Sequence, residues 1–427
     1  MTYIDTPNQN KEKAVLAGLA ADSMDLKERS TDESLDELEA LLETAGGISA
    51  GRILQKKPTP DPRTFIGEGK AQEMKALIDA EDCTLAVFDN ELSPSQTRAL
   101  EEALGVRVLD RSGLILDIFA QRAQTREGRL QVELAQYKYL LPRLTGMWTH
   151  LERQAGTSAP IGTRGPGETQ LETDRRHIRR KISKLEEELE QVRQVRSTQR
   201  RLREKNSVPV VALVGYTNAG KSTLLNKLTG ADISARDRLF DTLDTTTRRL
   251  KISDTLEVLL SDTVGFIRKL PHHLVDAFKA TLEELAYADL LLHVIDASNP
   301  LWIQQAEVVD ELILELGAEA TPRIEVFNKC DLDLSVSHPR GDDIVEVSAR
   351  TGNGIDALII KIENILQKTK KRAVLRLPYD KGGLLELLHR EASVLRLEYL
   401  DDGIEVEAVL NPGTYGRVRD YVVTENS

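Results

Sequence analysis

Eight residues, Gly215-Tyr-Thr-Asn-Ala-Gly220-Lys221-Ser222, constrain this chain more than any other stretch. They fit the pattern G-x-x-x-x-G-K-[ST], follow an apolar run at 208–214 and precede a helical segment at 223–228. A strand that turns through glycines into a helix start leaves backbone N–H groups pointing inward, and the helix terminus adds partial positive charge. That is an anion site, and in this context a phosphate site. Gly215, Tyr216, Thr217, Asn218, Ala219, Gly220, Lys221, Ser222 and Thr223 are expected to line it. Lys221 is placed to reach the β- and γ-phosphates, and the Ser222 hydroxyl to ligate Mg²⁺.

Apolar strands alternate with amphipathic helices around this motif, at 208–214, 256–260, 290–295, 323–327 and 344–347, the pattern of a doubly wound sheet. Three further elements appear in order. Asp262-Thr-Val-Gly265 follows the second strand; its carboxylate suits Mg²⁺, directly or through water, and the Gly265 N–H suits a γ-phosphate. Asn328-Lys329-Cys330-Asp331 ends another strand. A carboxylate there accepts two parallel hydrogen bonds from guanine N1–H and N2–H₂, a donor pair that adenine lacks, so Asp331 is expected to select the base beside Asn328 and Lys329. Ser348-Ala349-Arg350 follows the last strand and is expected to complete the base pocket through backbone N–H groups. A plain helix N-cap is the blander role for Asp331, but the ordered set of elements weighs against it. The expected ligands are GTP and GDP with Mg²⁺, and an ATP-specific enzyme is the weakest rival because Asn328 and Asp331 would then lack a purpose.

At 427 residues the chain exceeds what one hydrophobic core supports. The expected fold class is multidomain α/β, in five parts. Residues 1–48 are acidic and read as an extension, disordered over its first thirty residues and helical near its end, where Leu35, Leu38, Leu41 and Leu42 recur at helical spacing; 49–112 reads as an N-terminal α/β subdomain; 113–205 as a long antiparallel helical hairpin with a Gly/Pro-rich tip loop at 155–168. The nucleotide domain spans 206–370, and a small C-terminal α/β domain spans 371–427. The hairpin reading rests on Ile178, Ile182, Leu185, Leu189 and Val192, which step by four and three as a coiled-coil seam does. Helices are expected over 113–142, with Pro142 as an end or kink, and over 170–205. No apolar run approaches the roughly 18 residues a bilayer span needs, and the opening residues lack the order of a secretory signal. Cys83 and Cys330 stand far apart without metal-ligand spacing, so neither a disulfide framework nor a zinc site is expected, and a reducing cytoplasm is the natural compartment. Any membrane association would be transient. A net charge of -12 argues against indiscriminate coating of nucleic acid, and no DNA partner is expected.

The nucleotide elements resemble the translation-factor-related GTPases. That likeness implies a Mg²⁺-ligating, catalytic threonine between Lys221 and Asp262; Thr242 is favoured by its distance from Phe240, with Thr246 the alternative. Many such enzymes carry a water-orienting glutamine after the glycine of the Asp262 motif. Phe266 stands there instead, so hydrolysis uses another group or waits for a partner. Asn218 has two readings of equal weight, a turn residue or a ligand to a K⁺ ion as in some relatives. A longer stretch, Gly162-Thr-Arg-Gly-Pro-Gly-Glu-Thr-Gln-Leu-Glu-Thr-Asp-Arg-Arg176, resembles the signature of the HflX family, as do Phe240-Asp-Thr-Leu-Asp244 and Asp262-Thr-Val-Gly-Phe266. So do Pro58 to Lys70, Leu377-Pro-Tyr-Asp380 and Leu387-Leu-His-Arg-Glu391. Two departures stand out: Thr245 where that family usually has proline, and a longer glycine run at 155–161. This resemblance implies a GTPase that binds the large ribosomal subunit and its RNA and separates the subunits of stalled or idle ribosomes; a monomer is the simpler expectation for a factor entering a ribosomal cavity. Arg164, Gly165, Arg175, Arg176, Arg179 and Arg180 are the expected contacts, their charge meeting phosphates. Two rivals stay open: a GTP-gated scaffold that barely hydrolyses, and a GTPase serving another RNA or protein.

Overall fold

The computed structural model describes residues 11–147, 166–206, 208–230, 239–240, 246–253, 256–270, 285–332, 338–368, 371–400, 402–410 and 412–426. The chain divides into two units, one comprising Met1–Glu190, Arg236–Asp244 and Ile267–Lys279, the other Gln191–Ala235, Thr245–Phe266 and Ala280–Ser427.

The first unit is built on four parallel strands, β1 (Lys13–Ala21), β2 (Ile48–Lys57), β3 (Leu85–Phe88) and β4 (Arg107–Asp110), in the order β2-β1-β3-β4. Parallel neighbours need crossovers, supplied by helices α1 (Asp32–Ala45), α2 (Glu68–Glu81) and α3 (Pro94–Leu104). The helix starts are encoded locally: Thr31 and Ser34 form a capping box for α1, and Ser93 and Gln96 do so for α3 with Pro94 in its first turn. Helices cover both faces of such a sheet, so its central strand is apolar throughout; Ala14 to Ala17 are fully buried. The disorder expected in the first thirty residues is corrected at 13–21, a central strand of this sheet, while the leucine spacing at 35–42 does mark a helix, 32–45, which is the first crossover. The unbroken Ala-Val-Leu-Ala-Gly-Leu-Ala-Ala run was the signal for the strand.

The single helix expected over 113–142 is two, α4 (Arg111–Arg122) and α5 (Arg126–Met147), parted where Ala123 adopts extended backbone. Pro142 neither begins nor ends α5 but lies inside it. Helix α6 (Pro166–Asn206) forms the other arm. Leu130 and Leu134 of α5 pack on Leu185 and Leu189 of α6, with Tyr137 and Ile182 alongside. Arg126 meets Glu188 at 3.6 Å while Lys181 donates to the Tyr137 hydroxyl at 2.7 Å, so the arms run antiparallel as the seam predicts. Of the tip loop, 155–165 lies outside the described residues, and 166–168 already belongs to α6.

The second unit holds a six-stranded sheet, ordered β10-β9-β8-β5-β7-β6. Its strands are β5 (Val210–Gly215), β6 (Thr246–Ser253), β7 (Leu256–Asp262), β8 (Leu290–Asp296), β9 (Arg323–Asn328) and β10 (Ile344–Glu346). All pair in parallel except β6, an antiparallel edge strand that the sequence reading left out. Helices α7 (Lys221–Thr229), α8 (Trp302–Glu315) and α9 (Ile355–Lys368) accompany the sheet, and its core joins Leu213, Leu260, Leu292 and Val326 to Leu224 and Leu358. Beyond it, β11 (Lys371–Leu377), α10 (Gly382–Glu391), β12 (Ser393–Leu400), β13 (Gly403–Leu410), α11 (Pro412–Val418) and β14 (Val422–Asn426) form an antiparallel sheet ordered β12-β13-β11-β14. The small α/β domain expected over 371–427 is thus an antiparallel sheet accompanied by α10 and α11.

Candidate nucleotide site

Strands β5, β7, β8 and β9 run parallel, so Gly215, Asp262, Asp296 and Asn328 arrive at one edge of the sheet, the carboxyl edge where α/β sheets place ligands. The glycine loop bridges β5 and the start of α7. Gly220, the residue before α7, sits at φ 93°, and a Cβ there would stand 2.3 Å from Asn328 Nδ2. Asn328 in turn donates from Nδ2 to Ala219 O at 2.9 Å and accepts at Oδ1 from the Ala349 N–H at 3.0 Å. It is buried, and it braces the phosphate loop against the Ser348 loop. We expect Gly220→Ala to break this brace and strain the turn, lowering Tm by several degrees and weakening GDP binding; calorimetry with and without GDP checks both.

Lys221 lies folded back over the loop, its ammonium donating to Gly215 O at 3.0 Å and Tyr216 O at 2.8 Å. Burial pushes its pKa down to about 8, with the Asp262 carboxylate working the other way. The Ser222 hydroxyl donates to Asp262 Oδ2 at 2.6 Å, setting two hard oxygen donors side by side, a set that suits Mg²⁺. Thr242 lies outside the described residues. Thr246 opens β6 directly opposite Asp262.

The backbone after Asp262 lies against the loop. Thr217 N–H donates to Phe266 O at 2.7 Å, and Phe266 N–H to Gly215 O at 3.2 Å. Gly265 approaches so closely that a Cβ would stand 2.9 Å from Thr217 Cα and 3.0 Å from Lys221 Nζ. Gly265 thus lies beside the glycine loop and the Lys221 ammonium. Phe266 is 1% exposed; its ring is core and cannot orient a water.

Beyond β9, the Ser348 hydroxyl donates to Asp331 Oδ1 at 2.7 Å, which holds the Asp331 carboxyl below its ordinary pKa. Lys329, at φ 65°, pairs with Asp296 at 2.7 Å. The N–H groups of Ser348 and Ala349 donate to Asn353 O and Asn328 Oδ1, while the Ser348 hydroxyl is oriented on Asp331. Asp296 was missed by sequence reasoning; like Asp262 it ends an apolar strand, and that was the available signal. Arg176, Arg179 and Arg180 are exposed on α6 and Arg175 is half-buried. Arg164 and Gly165 lie outside the described residues.

Fold and site together define a P-loop enzyme that hydrolyses GTP. Three family models match in succession: a GTP-binding GTPase N-terminal region at 32–120, a GTP-binding GTPase middle region at 122–203, and a 50S ribosome-binding GTPase domain at 210–329. GTPase HflX of Caldanaerobacter subterraneus subsp. tengcongensis is 46% identical over 416 residues, spanning 97% of this chain and 95% of that one. GTPase HflX of Escherichia coli (strain K12) is 47% identical over 378 residues, 87% of this chain and 88% of that one. A GTP-binding protein of Sulfolobus solfataricus, crystallised with GDP, is 25% identical with a TM-score of 0.44, covering 83% of this chain and 98% of that one. The chain belongs to the HflX family of GTPases. Among the described residues no helix is long and apolar enough to cross a membrane.

Proposed function

We propose that this GTPase binds the large ribosomal subunit near its peptidyl-transferase region and, in the GTP form, separates the subunits of stalled or idle ribosomes. The observation that carries this reading is the hairpin. Its arms are clamped by an apolar seam, and Arg176, Arg179 and Arg180 project as a solvent-exposed basic face within 15 residues of the start of α6. Such a face, next to a Gly/Pro-rich tip, suits phosphate contact inside a crowded RNA cavity. The family model for 210–329, described as a 50S ribosome-binding GTPase, supports the same destination.

In this reading Gly215 to Thr223 cradle the phosphates, Gly265 contacts the γ-phosphate, and Asp331 with Ser348 selects guanine. Ser222, Asp262 and Thr242 would hold Mg²⁺, which supplies charge neutralisation at the β- and γ-phosphates when bound. Lys221 draws the same phosphates inward while the buried Phe266 leaves water positioning to another group, so turnover is slow until the ribosome is engaged. Asn218, at φ 60° in the loop, is the residue a K⁺ ion would meet. The domain limits carried forward are a hairpin through about 205, a GTPase domain to about 370 and a C-terminal domain beyond.

The test is GTP turnover with and without purified large subunits, for the intact chain and for one lacking 155–166. We expect stimulation of about tenfold or more in the intact chain, lost in the deletion. Absence of stimulation in the intact chain overturns the ribosomal reading and favours the GTP-gated scaffold, which the non-catalytic Phe266 also fits.

A further inference from the structure

Two neighbouring strand ends in the first unit carry buried carboxylates, and each holds a cation from a different part of the chain. Asp89 follows β3, and Asp110 closes β4 opposite Phe88. Asp89 is fully buried; it accepts from the hydroxyls of Ser30 at 2.7 Å and Ser34 at 2.8 Å, and it pairs with Arg111 at 2.8 Å. Those partners already stabilise its charge. Yet Lys269 also enters, its ammonium 2.5 Å from Asp89 Oδ2 and its side chain only 6% exposed. Lys269 lies four residues beyond Gly265 and holds a left-handed backbone, φ 54°.

Asp110 has a parallel arrangement. It accepts from Arg143 at 2.7 Å and from the Tyr139 hydroxyl at 2.8 Å, with the Arg143 guanidinium stacked 3.5 Å over the Tyr139 ring. Arg143 also donates to Leu92 O at 3.1 Å. Both residues belong to the last turns of α5, the end from which the chain leaves for the hairpin tip. Arg111 pairs with Asp89 and with Glu37, and as the residue that follows Asp110 it links the two carboxylate sites through the backbone.

Burying a lysine from a loop is unfavourable unless its partner is waiting. The pair ties the backbone four residues beyond Gly265 to the end of β3, the kind of local seat whose gain or loss switching loops use. We propose that Lys269 is a positioning residue for GTP hydrolysis: seated on Asp89 it fixes the backbone that follows Gly265, and through Arg111 and the Asp110–Arg143 pair that seat is coupled to the tip-side end of α5. This deepens the ribosomal reading, on which the meaning of the tip rests, but the coupling belongs to the free chain and is tested without ribosomes.

The experiment uses the full chain with GDP or a non-hydrolysable GTP analogue, and reads amide hydrogen exchange at 139–147 alongside steady-state turnover. Lys269→Gln leaves Asp89 its arginine and two hydroxyls, so the fold is retained. In the unaltered chain, exchange at 139–147 differs between the two nucleotides by about fivefold or more, a typical coupling between sites. In Lys269→Gln that difference disappears, and kcat moves by about fivefold or more while KM stays within about twofold; Lys269→Arg restores both. By reciprocity, Arg143→Lys, which keeps the charge but loses the fork that also reaches Leu92 O, alters the nucleotide dependence of exchange at 266–270. The proposal is overturned if exchange at 139–147 ignores the nucleotide, or responds equally in Lys269→Gln. It is likewise overturned if that variant lowers Tm with kcat unchanged. Loss of ribosomal stimulation alone bears on the partner and leaves the coupling intact.

Discussion

Asp331→Asn lowers GTP affinity by roughly 10²-fold or more and gives the chain a new affinity for xanthosine triphosphate. The carboxylate is acceptor-only, and its ordinary pKa is pushed down by the Ser348 hydroxyl, so it stays ionised across the physiological range. Guanine offers it two donors, N1–H and N2–H₂, and each charge-assisted bond contributes about 1.5–3 kcal/mol. An amide keeps one acceptor but sets its own NH₂ against the guanine amine, so one bond is lost and two donors oppose each other. Xanthine carries a carbonyl at that carbon and accepts from the amide. The Ser348 hydroxyl retains an oxygen to donate to, so the loop keeps its shape. Competition binding with GTP, XTP and ATP is the measurement. Unchanged GTP affinity, or no gain for XTP, would return Asp331 to the role of a loop cap.

How much of this was readable beforehand follows from which forces act locally. The phosphate loop, Asp262, Gly265 and Asp331 were legible because each sits at a fixed offset from an apolar strand, and strand plus glycine turn is a short-range pattern. The hairpin seam was legible for the same reason: Leu185 and Leu189 repeat at helical spacing regardless of partner. What escaped needed long-range knowledge. The apolar run at 14–21 was a local strand signal outweighed by the acidity of its surroundings, and what lay beyond local reading was its central place between β2 and β3. Edge strand β6 alternates weakly because only Leu250 of its eight residues is buried. The brace through Asn328, the Asp296–Lys329 pair and the Asp89–Lys269 seat join residues up to 180 positions apart, and no periodicity encodes such partners.

Lys221 combines the largest expected loss with a pH signature that identifies its cause. Its ammonium is buried on two carbonyls, with a pKa brought down to about 8 before any phosphate is present. A bound β- or γ-phosphate favours the charged form and raises that value, so binding above pH 8 takes up a proton. Below pH 8 the free protein already carries the charge and affinity is flat with pH on this account. Above it, GDP affinity falls by up to about tenfold per pH unit until the pKa of the complex is reached. The nucleotide-free protein behaves oppositely. Between about 8 and the unfolded value near 10.5 the unfolded chain binds the extra proton, so this group's contribution to stability rises with pH. Lys221→Met removes the phosphate contacts, lowering GTP affinity by roughly 10²- to 10³-fold on the scale of charged hydrogen bonds, and it must also abolish both pH slopes. Calorimetric titration of GDP from pH 7 to 9.5 in two buffers of different ionisation enthalpy measures the proton directly. A slope that persists in Lys221→Met would assign it to another group. Affinity that stays flat above pH 8 in the unaltered chain would mean that Lys221 keeps its proton without the nucleotide, held by the loop carbonyls and Asp262 alone.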